Sequence, residues 1–186
     1  ATLAEAAAEV DALVARAQAL EEFGAGTQLA AACGEALGGG KRLRAVILLE
    51  VARRAASAGA KEGRRAQAVD AAELALAVEY LHAASLVVDD LPEFDNDATR
   101  RGRPALHAAV GPALAQLAAL ALAAAALQNV GRQLDWLRAH CPEIRDVDRI
   151  GTRICSEVGR ALGAAGAAGG QAMDGADAAT LYREHG

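Results

Sequence analysis

Charged side chains are concentrated in one stretch of the chain, SLVVDDLPEFDNDATRRGRP, which covers residues 85–104. Asp89 and Asp90 are adjacent and follow an apolar run, and Asp95 comes shortly after them. Two carboxylates about 4 Å apart repel each other by roughly 1 kcal/mol in water and roughly 4 kcal/mol at the effective dielectric of a protein surface. The cluster therefore indicates a counter-cation, and a donor set made of oxygens favours Mg²⁺.

Arginines follow these aspartates directly. The planar guanidinium groups of Arg100 and Arg101 suit bidentate contacts with phosphate, and protein-bound Mg²⁺ often shares its coordination with a substrate phosphate. The alternative is that the aspartates and arginines form surface salt bridges, each worth ~0–1 kcal/mol. Spacing alone leaves both interpretations open.

A second basic cluster, GGGKRLRAV (38–46), places Lys41, Arg42 and Arg44 at the predicted start of a helix. The free amides and the dipole of a helix N-terminus attract anions, whereas cations there oppose the dipole unless an anion is bound. A diphosphate would satisfy this cluster, and a solvated basic turn is the alternative. The stretch is not a Walker A loop, because the preceding strand and the Ser/Thr are missing.

Three segments in this order, GGKRLR, EYLHAASLVVDDLPEFDNDATRRGRPALH and GGQAMD, resemble the motifs of the trans-isoprenyl diphosphate synthases. The geranylgeranyl diphosphate synthases are the most similar type. The resemblance implies an Mg²⁺-dependent prenyltransferase that condenses isopentenyl diphosphate with an allylic diphosphate to a short-chain (C20) product. It also implies a cytoplasmic homodimer.

The resemblance also implies roles for individual residues. Asp89, Asp90 and Asp95 would hold the metal and support catalysis, and Arg100 would bind the allylic diphosphate. Gln171 and Asp174 of GGQAMD would face the substrate and a second metal site. The residues that would bind the diphosphate of isopentenyl diphosphate are Lys41, Arg44, His82 and Arg101.

Product length is expected to depend on Ala84 and Ser85, one helical turn before Asp89. In the family that the chain resembles, a bulky aromatic residue there shortens the product, so two small residues imply a product longer than farnesyl. The alternative is that these small residues only permit close helix packing.

Apolar residues at helical spacing, together with turn signals, predict the elements that position these side chains. The long segment RRAQAVDAAELALAVEYLHAASLVVDD reads as one helix, which Pro92 ends, so the carboxylates lie at a helix terminus. Thr2-x-x-Glu5 is a capping-box pattern at the start of the first helix. No segment carries a strand signal. Further helices are predicted over about 3–22, 27–37, 42–57, 105–109, 112–139, from Pro142 into the glycines near 163–170, and over 177–185.

The composition and the helical periodicity favour an all-α bundle of about seven or eight helices in a single domain over residues 1–186, and the resemblance implies that it is of the isoprenoid synthase type. Hydrophobic residues make up 53% of the chain but aromatic residues only 3%, so alanine and leucine must form the core. A net charge of -5 argues against a nucleic-acid-binding protein. The apolar run 117–127 is too short to span a bilayer, so no integral membrane segment is expected. Cys33, Cys141 and Cys155 are predicted to be reduced, buried thiols.

Two features depart from the family that the chain resembles. Ala119 and Leu120 stand where that family usually has Gly-Asp, and no second aspartate-rich motif occurs in the sequence. We therefore expect the chain to represent the N-terminal two-thirds of the fold of an active synthase. One alternative is a catalytically inactive short homologue that acts as a regulatory or binding subunit of an active prenyl synthase. Another is a helical di-iron protein, because Glu79-x-x-His82 resembles half of such a site.

Overall fold

The computed structural model describes residues 3–19, 23, 24, 26–61 and 70–174. Eight α-helices and one short β-hairpin make up the regular structure of these residues. In chain order they are α1 (Leu3–Ala19), α2 (Gln28–Ala36), α3 (Leu43–Lys61), α4 (Ala72–Asp89), β1 (Thr99–Arg100), β2 (Arg103–Pro104), α5 (Leu106–Val110), α6 (Pro112–His140), α7 (Val147–Leu162) and α8 (Ala167–Asp174).

Helices α4 and α6 form the centre of the main hydrophobic core, to which α1, α2 and α5 also contribute. Tyr80 on α4 and Leu122 on α6 are fully buried. Most of the other buried residues of these two helices are alanines, whose small side chains allow the helix axes to approach closely. The all-α prediction is confirmed, and the abundance of alanine is its physical basis.

Helix ends follow local chemistry. The first turn of α2 is capped by Thr27, whose Oγ1 accepts a hydrogen bond from Ala30 N at 3.0 Å. Helix α4 ends at Asp89, just before Leu91-Pro92, as the proline predicts. Residues 64–69 of the predicted long helix lie outside the described residues, as do Thr2 and the helix predicted over 177–185. The prediction was wrong at Asp70 and Ala71, which are not helical, because α4 begins only at Ala72.

Three predictions about elements were wrong. No strand was expected, but β1 and β2 form an antiparallel pair with Thr99 opposite Pro104 and Arg100 opposite Arg103. The helix after Pro142 is two helices, because α7 ends at Leu162 and α8 begins only at Ala167, after a glycine-containing turn. Helix α3 runs to Lys61 rather than ending near residue 57.

Helix α6 is the one helix among the described residues that is long and apolar enough to cross a membrane. Its 29 residues agree with the helix predicted over 112–139, within which the run 117–127 is the most apolar part. Length and composition alone do not distinguish a core helix from a membrane span, but its buried side chains here pack against α2, α4 and α5. We interpret α6 as a core helix.

Burial of the cysteines was predicted correctly at two positions. Cys33 and Cys141 are buried, whereas Cys155 is exposed, because α7 turns this position towards solvent.

Candidate functional site

The end of α4 and the loop after it bring two of the predicted metal ligands together. The loop folds back, and Asp95 N donates to the backbone oxygen of Asp89 at 3.0 Å, while Asn96 N donates to Leu91 O at 3.1 Å. Asn96 takes a left-handed conformation with φ 51°, which makes this reversal possible. Asp89 is half-buried and Asp95 is exposed. Asp95 thus lies next to the helix terminus that carries Asp89.

Negative charges act on one another at this helix end. Burial raises the pKa of Asp89 above its usual value, and the nearby carboxylates of Asp95 and Asp90 raise it further, whereas Arg100 lowers it. A divalent cation bound to oxygen donors would relieve this repulsion. The chemistry of Asp89 and Asp95 therefore fits Mg²⁺. No three His, Cys, Asp or Glu side chains in the described part of the chain are clustered closely enough to form a complete metal site.

Asp90 is placed differently from its neighbour. It is only 3% exposed, and both of its oxygens accept hydrogen bonds from Arg100, with Nε–H donating to Oδ2 at 2.6 Å. This bidentate pair raises the pKa of Arg100. The spacing left two interpretations open, a metal site or salt bridges. In this conformation Asp90 forms a salt bridge with Arg100, while Asp89 remains available to bind a metal.

The unpredicted hairpin positions Arg100 and Arg101. The turn between its strands is formed by Arg101, with φ 53°, and Gly102, with φ 75°, two successive left-handed residues of the kind that tight hairpins require. Because Arg100 is in β1 and Arg101 is in the turn, the two side chains diverge. Arg100 reaches Asp90, and the guanidinium of Arg101 lies against the backbone of Gly40.

The contact at Gly40 joins the two basic clusters. A Cβ atom placed on Gly40 would lie 2.6 Å from Nη1 of Arg101, and the φ of Gly40 is 106°. The backbone conformation therefore favours glycine strongly at this position, and the absence of a side chain leaves the space that the end of the Arg101 side chain occupies. Lys41, the next residue, is exposed.

Arg44 and His82 also converge here. Nη1 of Arg44 lies 3.1 Å from Nε2 of His82, and because a guanidinium can only donate, Nε2 is the acceptor. Burial lowers the pKa of His82 below 6.5, and the positive charges of Arg44, Arg101 and Arg100 contribute to the decrease. Three of the four residues predicted to bind one diphosphate thus influence one another, so this pocket would be stabilised by an anion.

An apolar cavity of about 350 Å³ lies beside Asp89, between α4, α6 and α8. Ala84 and Ser85 line it, as predicted for residues that face a product crevice. Its walls also include Gln171 from α8, whereas Asp174 is exposed at the last residue of α8. The complete lining is Leu81, Ala84, Ser85, Val88, Asp89, Gln116, Ala119, Leu120, Ala123, Leu162, Ala167, Ala168 and Gln171.

Sequence reasoning missed several residues around the site. Ala119 and Leu120, noted only as departures from a family pattern, line the cavity and make that wall apolar. Gln116 and Ala123 lie one turn on either side along the same face of α6, so the helical periodicity of α6 was the signal that could have found them. Gly40 was read as part of a helix stop, and its contact with Arg101 has no local signal in the sequence.

Comparisons with known proteins find a matching family model, related sequences and related structures. A model of the family described as polyprenyl synthetase matches residues 27–178. The chain is 43% identical over 147 residues to a trans-prenyltransferase of African swine fever virus, covering 79% of this chain and 44% of that protein. It is 41% identical over 139 residues to farnesyl diphosphate synthase of Escherichia coli, covering 75% of this chain and 41% of the relative.

A solved structure of a prenyl diphosphate synthase has a similar fold. The FPP/GFPP synthase from Zymomonas mobilis superimposes with a TM-score of 0.68 at 30% identity, over 92% of this chain and 55% of that one. The chain therefore spans less than half the length of the two curated relatives and about half of this solved structure.

Proposed function

The chain belongs to the polyprenyl synthetase family, and on this premise we propose that it carries the substrate-binding half of an Mg²⁺-dependent prenyltransferase. The proposed reaction condenses isopentenyl diphosphate with an allylic diphosphate. The observation that carries the proposal is the apolar cavity of about 350 Å³ whose lining includes Asp89, a carboxylate on which the positive charge of Arg100 acts. A prenyl diphosphate has this same combination of an apolar chain and a charged head group.

The basic residues divide between the two substrates. Arg44, His82 and Arg101, with Lys41 on the exposed side of the turn, bind the diphosphate of isopentenyl diphosphate. Arg100 lies beside the aspartates and is assigned to the allylic diphosphate. To bind it, the guanidinium would leave Asp90, its present partner. Charge supports an anion site at His82, because its pKa is lowered first by burial and then by the positive charge of Arg44, which a bound diphosphate would offset.

The aspartates hold the metal on the allylic side. Asp89 and Asp95 would provide the oxygens for the metal in this conformation, and Asp90 would add its oxygens only if Arg100 left it for the diphosphate. Bound Mg²⁺ supplies positive charge that stabilises the diphosphate as a leaving group. Gln171 and Asp174 lie on α8, at the far side of the cavity and at the helix end, where we assign them to the substrate and a second metal.

The cavity lining suits a prenyl chain and the cation that forms on it. When the C1–O bond of the allylic diphosphate breaks, its electron pair leaves with the diphosphate and an allylic carbocation remains. The double bond of isopentenyl diphosphate attacks this cation to form the new carbon–carbon bond, and the released diphosphate takes up the proton that is then lost. Nine of the thirteen lining residues are aliphatic, so the lining offers water few polar partners beside the cation.

Removing the carboxylate at the cavity tests the function. We expect Asp89→Ala to abolish Mg²⁺-dependent prenyl transfer, because the metal loses the ligand next to the cavity. The measurement is incorporation of radiolabelled isopentenyl diphosphate into prenyl diphosphates by wild type and variant. Glu143→Ala is the control, because this exposed carboxylate follows α6, away from the cavity lining. Turnover retained in Asp89→Ala would contradict the assignment, and a wild-type chain that binds both substrates without turnover would favour an inactive binding subunit.

Product length is assigned to the small residues of α4. We propose a geranylgeranyl (C20) product, because Ala84 and Ser85 leave the cavity open along α4 from Asp89 to Leu81. We expect Ser85→Phe to fill this space and to shorten the product, as chromatography of the dephosphorylated alcohols would show. Ser57→Phe, on an exposed face of α3, is the control. An unchanged product in Ser85→Phe would place the growing chain elsewhere.

The assembly is assigned to the exposed face of α6. Leu117, Leu120 and Leu127 share one side of this helix and are 53%, 67% and 53% exposed. Exposed leucines on one stripe indicate a surface that another protein covers. We propose that a second copy of the chain covers it, in a homodimer located in the cytoplasm.

A further inference from the structure

Arg42 has a different environment from the other arginines of the basic turn. It is only 7% exposed, although it stands between the exposed residues Lys41 and Leu43, and its backbone is left-handed with φ 51°. Arginine is rarely buried unless it is paired, and a non-glycine residue adopts this φ only when its surroundings impose it. The turn is therefore built to point this guanidinium into the protein.

Inside, Arg42 joins three helices. Its Nε–H donates to Asp11 of α1 at 2.8 Å, and Nη1 donates to Oε2 of Glu79 of α4 at 3.3 Å. Its Nη2 donates to the backbone oxygen of Leu37, the C-terminal cap of α2, at 2.7 Å. All three donor nitrogens of one planar group are used, which holds the turn before α3 in a single position.

Glu79 is the other half of this arrangement. It is 4% exposed, and while Oε2 accepts from Arg42, Oε1 accepts from the backbone N–H of Ala45 at 3.4 Å. The carboxylate of Glu79 thus fixes the chain on both sides of Arg44, at Arg42 and at Ala45. Glu79 also stands three residues before His82, on the same face of α4. These contacts also exclude Glu79 as a di-iron ligand in this conformation.

The geometry points to a positioning role: we propose that the buried Arg42–Glu79 pair sets the distance between Arg44 and His82 for the diphosphate of isopentenyl diphosphate. This inference rests on the function proposed above. Neither residue would touch the substrate, because both are buried and fully engaged. The 3.1 Å contact between Arg44 and His82 joins α3 to α4 next to this pair, so its geometry depends on how the two helices are held.

Stability alone does not explain such a pair. A buried ion pair is often no more stabilising than apolar residues of the same volume, and it contributes most where a defined geometry is needed. The surface ion pair of Arg53 with Glu9 offers a comparison, since it is exposed. Arg53–Glu9 connects α3 itself to α1, whereas Arg42–Asp11 connects the turn before α3 to α1.

The test compares binding of the two substrates. In Glu79→Gln the amide can accept from Arg42 or from Ala45 N but cannot accept from both, so Arg44 loses its fixed position. We expect the dissociation constant of isopentenyl diphosphate, measured by calorimetry, to rise about tenfold or more, and that of geranyl diphosphate to stay within about twofold. Arg53→Gln, the control, should leave both constants within about twofold of wild type.

A second variant keeps the test valid if Glu79→Gln does not fold, as circular dichroism would show. Arg42→Lys keeps the charge but lacks the planar fork, so the same selective loss for isopentenyl diphosphate is expected. Equal weakening of both substrates, or none, in the folded variants would overturn the inference.

Arg44→Gln separates this inference from the proposed function. If Arg44→Gln weakens isopentenyl diphosphate binding and neither Glu79→Gln nor Arg42→Lys does, only the positioning role is wrong. If the wild-type chain does not bind isopentenyl diphosphate, or if Arg44→Gln has no effect, the proposed function is wrong and the inference is wrong with it.

Discussion

The environment of His82 lowers its pKa below the usual value for histidine. Burial is the main cause of its lowered pKa, and the cationic Arg44 is the second. Because the unfolded chain takes up a proton at this position more readily than the folded chain, His82 contributes stability above pH 6.5 that is lost as the pH falls from 6.5 through the lower folded pKa.

Titration by NMR would check this environment. We expect the ring of His82 to titrate below 6.5 in the free chain, and the pKa to rise when inorganic pyrophosphate is added, because the anion offsets the arginine charges. Arg44→Met should raise the pKa without pyrophosphate. The signal is assigned with His82→Asn, and a pKa that does not respond to either change would mean that the site does not bind diphosphate at this ring.

At the scale of residues, the sequence predicted which side chains form the site but not how they pair. The Asp-rich and Arg-rich stretch was recognisable because like charges so close together need a partner. The hairpin turn determines that Arg100 pairs with Asp90 and leaves Asp89 free. No periodicity in the sequence predicts this hairpin. Arg42 was grouped with its basic neighbours because only the fold shows that it points inward.

Among the elements, the glycine turn before α3 depends on Gly40. We expect Gly40→Ala to displace the guanidinium of Arg101, which lies where the new Cβ atom would be, and to weaken isopentenyl diphosphate binding about tenfold. The left-handed φ adds a stability loss of about 1–3 kcal/mol. Binding is measured by calorimetry and stability by urea denaturation.

Gly39→Ala is the matched control. Gly39 is also left-handed, with φ 72°, but a Cβ atom there would meet nothing within 4 Å. The Gly39→Ala variant should therefore lose a similar amount of stability but keep its affinity for isopentenyl diphosphate. Equal loss of affinity in both variants would mean that the turn conformation, and not the contact with Arg101, matters for binding.

Elements were predictable where periodicity is strong. The bounds of α2, α5 and α6 lie within a residue or two of the prediction, since caps and prolines mark them. The hairpin was missed because its strands contain only two residues each, too few for any alternation. Glycine between α7 and α8 was read as fraying, whereas it forms a turn that starts a new helix.

For the whole molecule, the proposed homodimer interface on the exposed leucines of α6 can be tested. We expect Leu117→Glu combined with Leu127→Glu to shift the chain from dimer to monomer, because charges on both leucines cannot be buried without a partner. Analytical ultracentrifugation measures the shift. Leu120 is left unchanged in this variant, since it also lines the cavity.

The control for assembly is Ile47→Glu. Ile47 is 62% exposed on α3, so the substitution changes an equally accessible apolar residue on another face. It should leave the dimer intact. A wild-type chain that sediments as a monomer, or an equal effect of Ile47→Glu, would contradict an interface on α6.

The all-α architecture was predictable from composition, because a core of alanine and leucine with so few aromatic residues favours close-packed helices. Only one wall of the cavity could be predicted from the sequence. One wall, on α4, was identified from its distance to Asp89, but the other walls come from α6 and α8, which are remote in the chain. Only packing brings these walls together.

The contact between Gly40 and Arg101 has a consequence for chimaeras of this family. The two loops are separated along the chain by the whole of α3 and α4, yet the space left by one is filled by the other. A loop transplanted alone from a relative would therefore meet a partner shaped for a different sequence. The turn that contains Gly40 and the β1–β2 hairpin that contains Arg101 should therefore be transferred together in a chimaera.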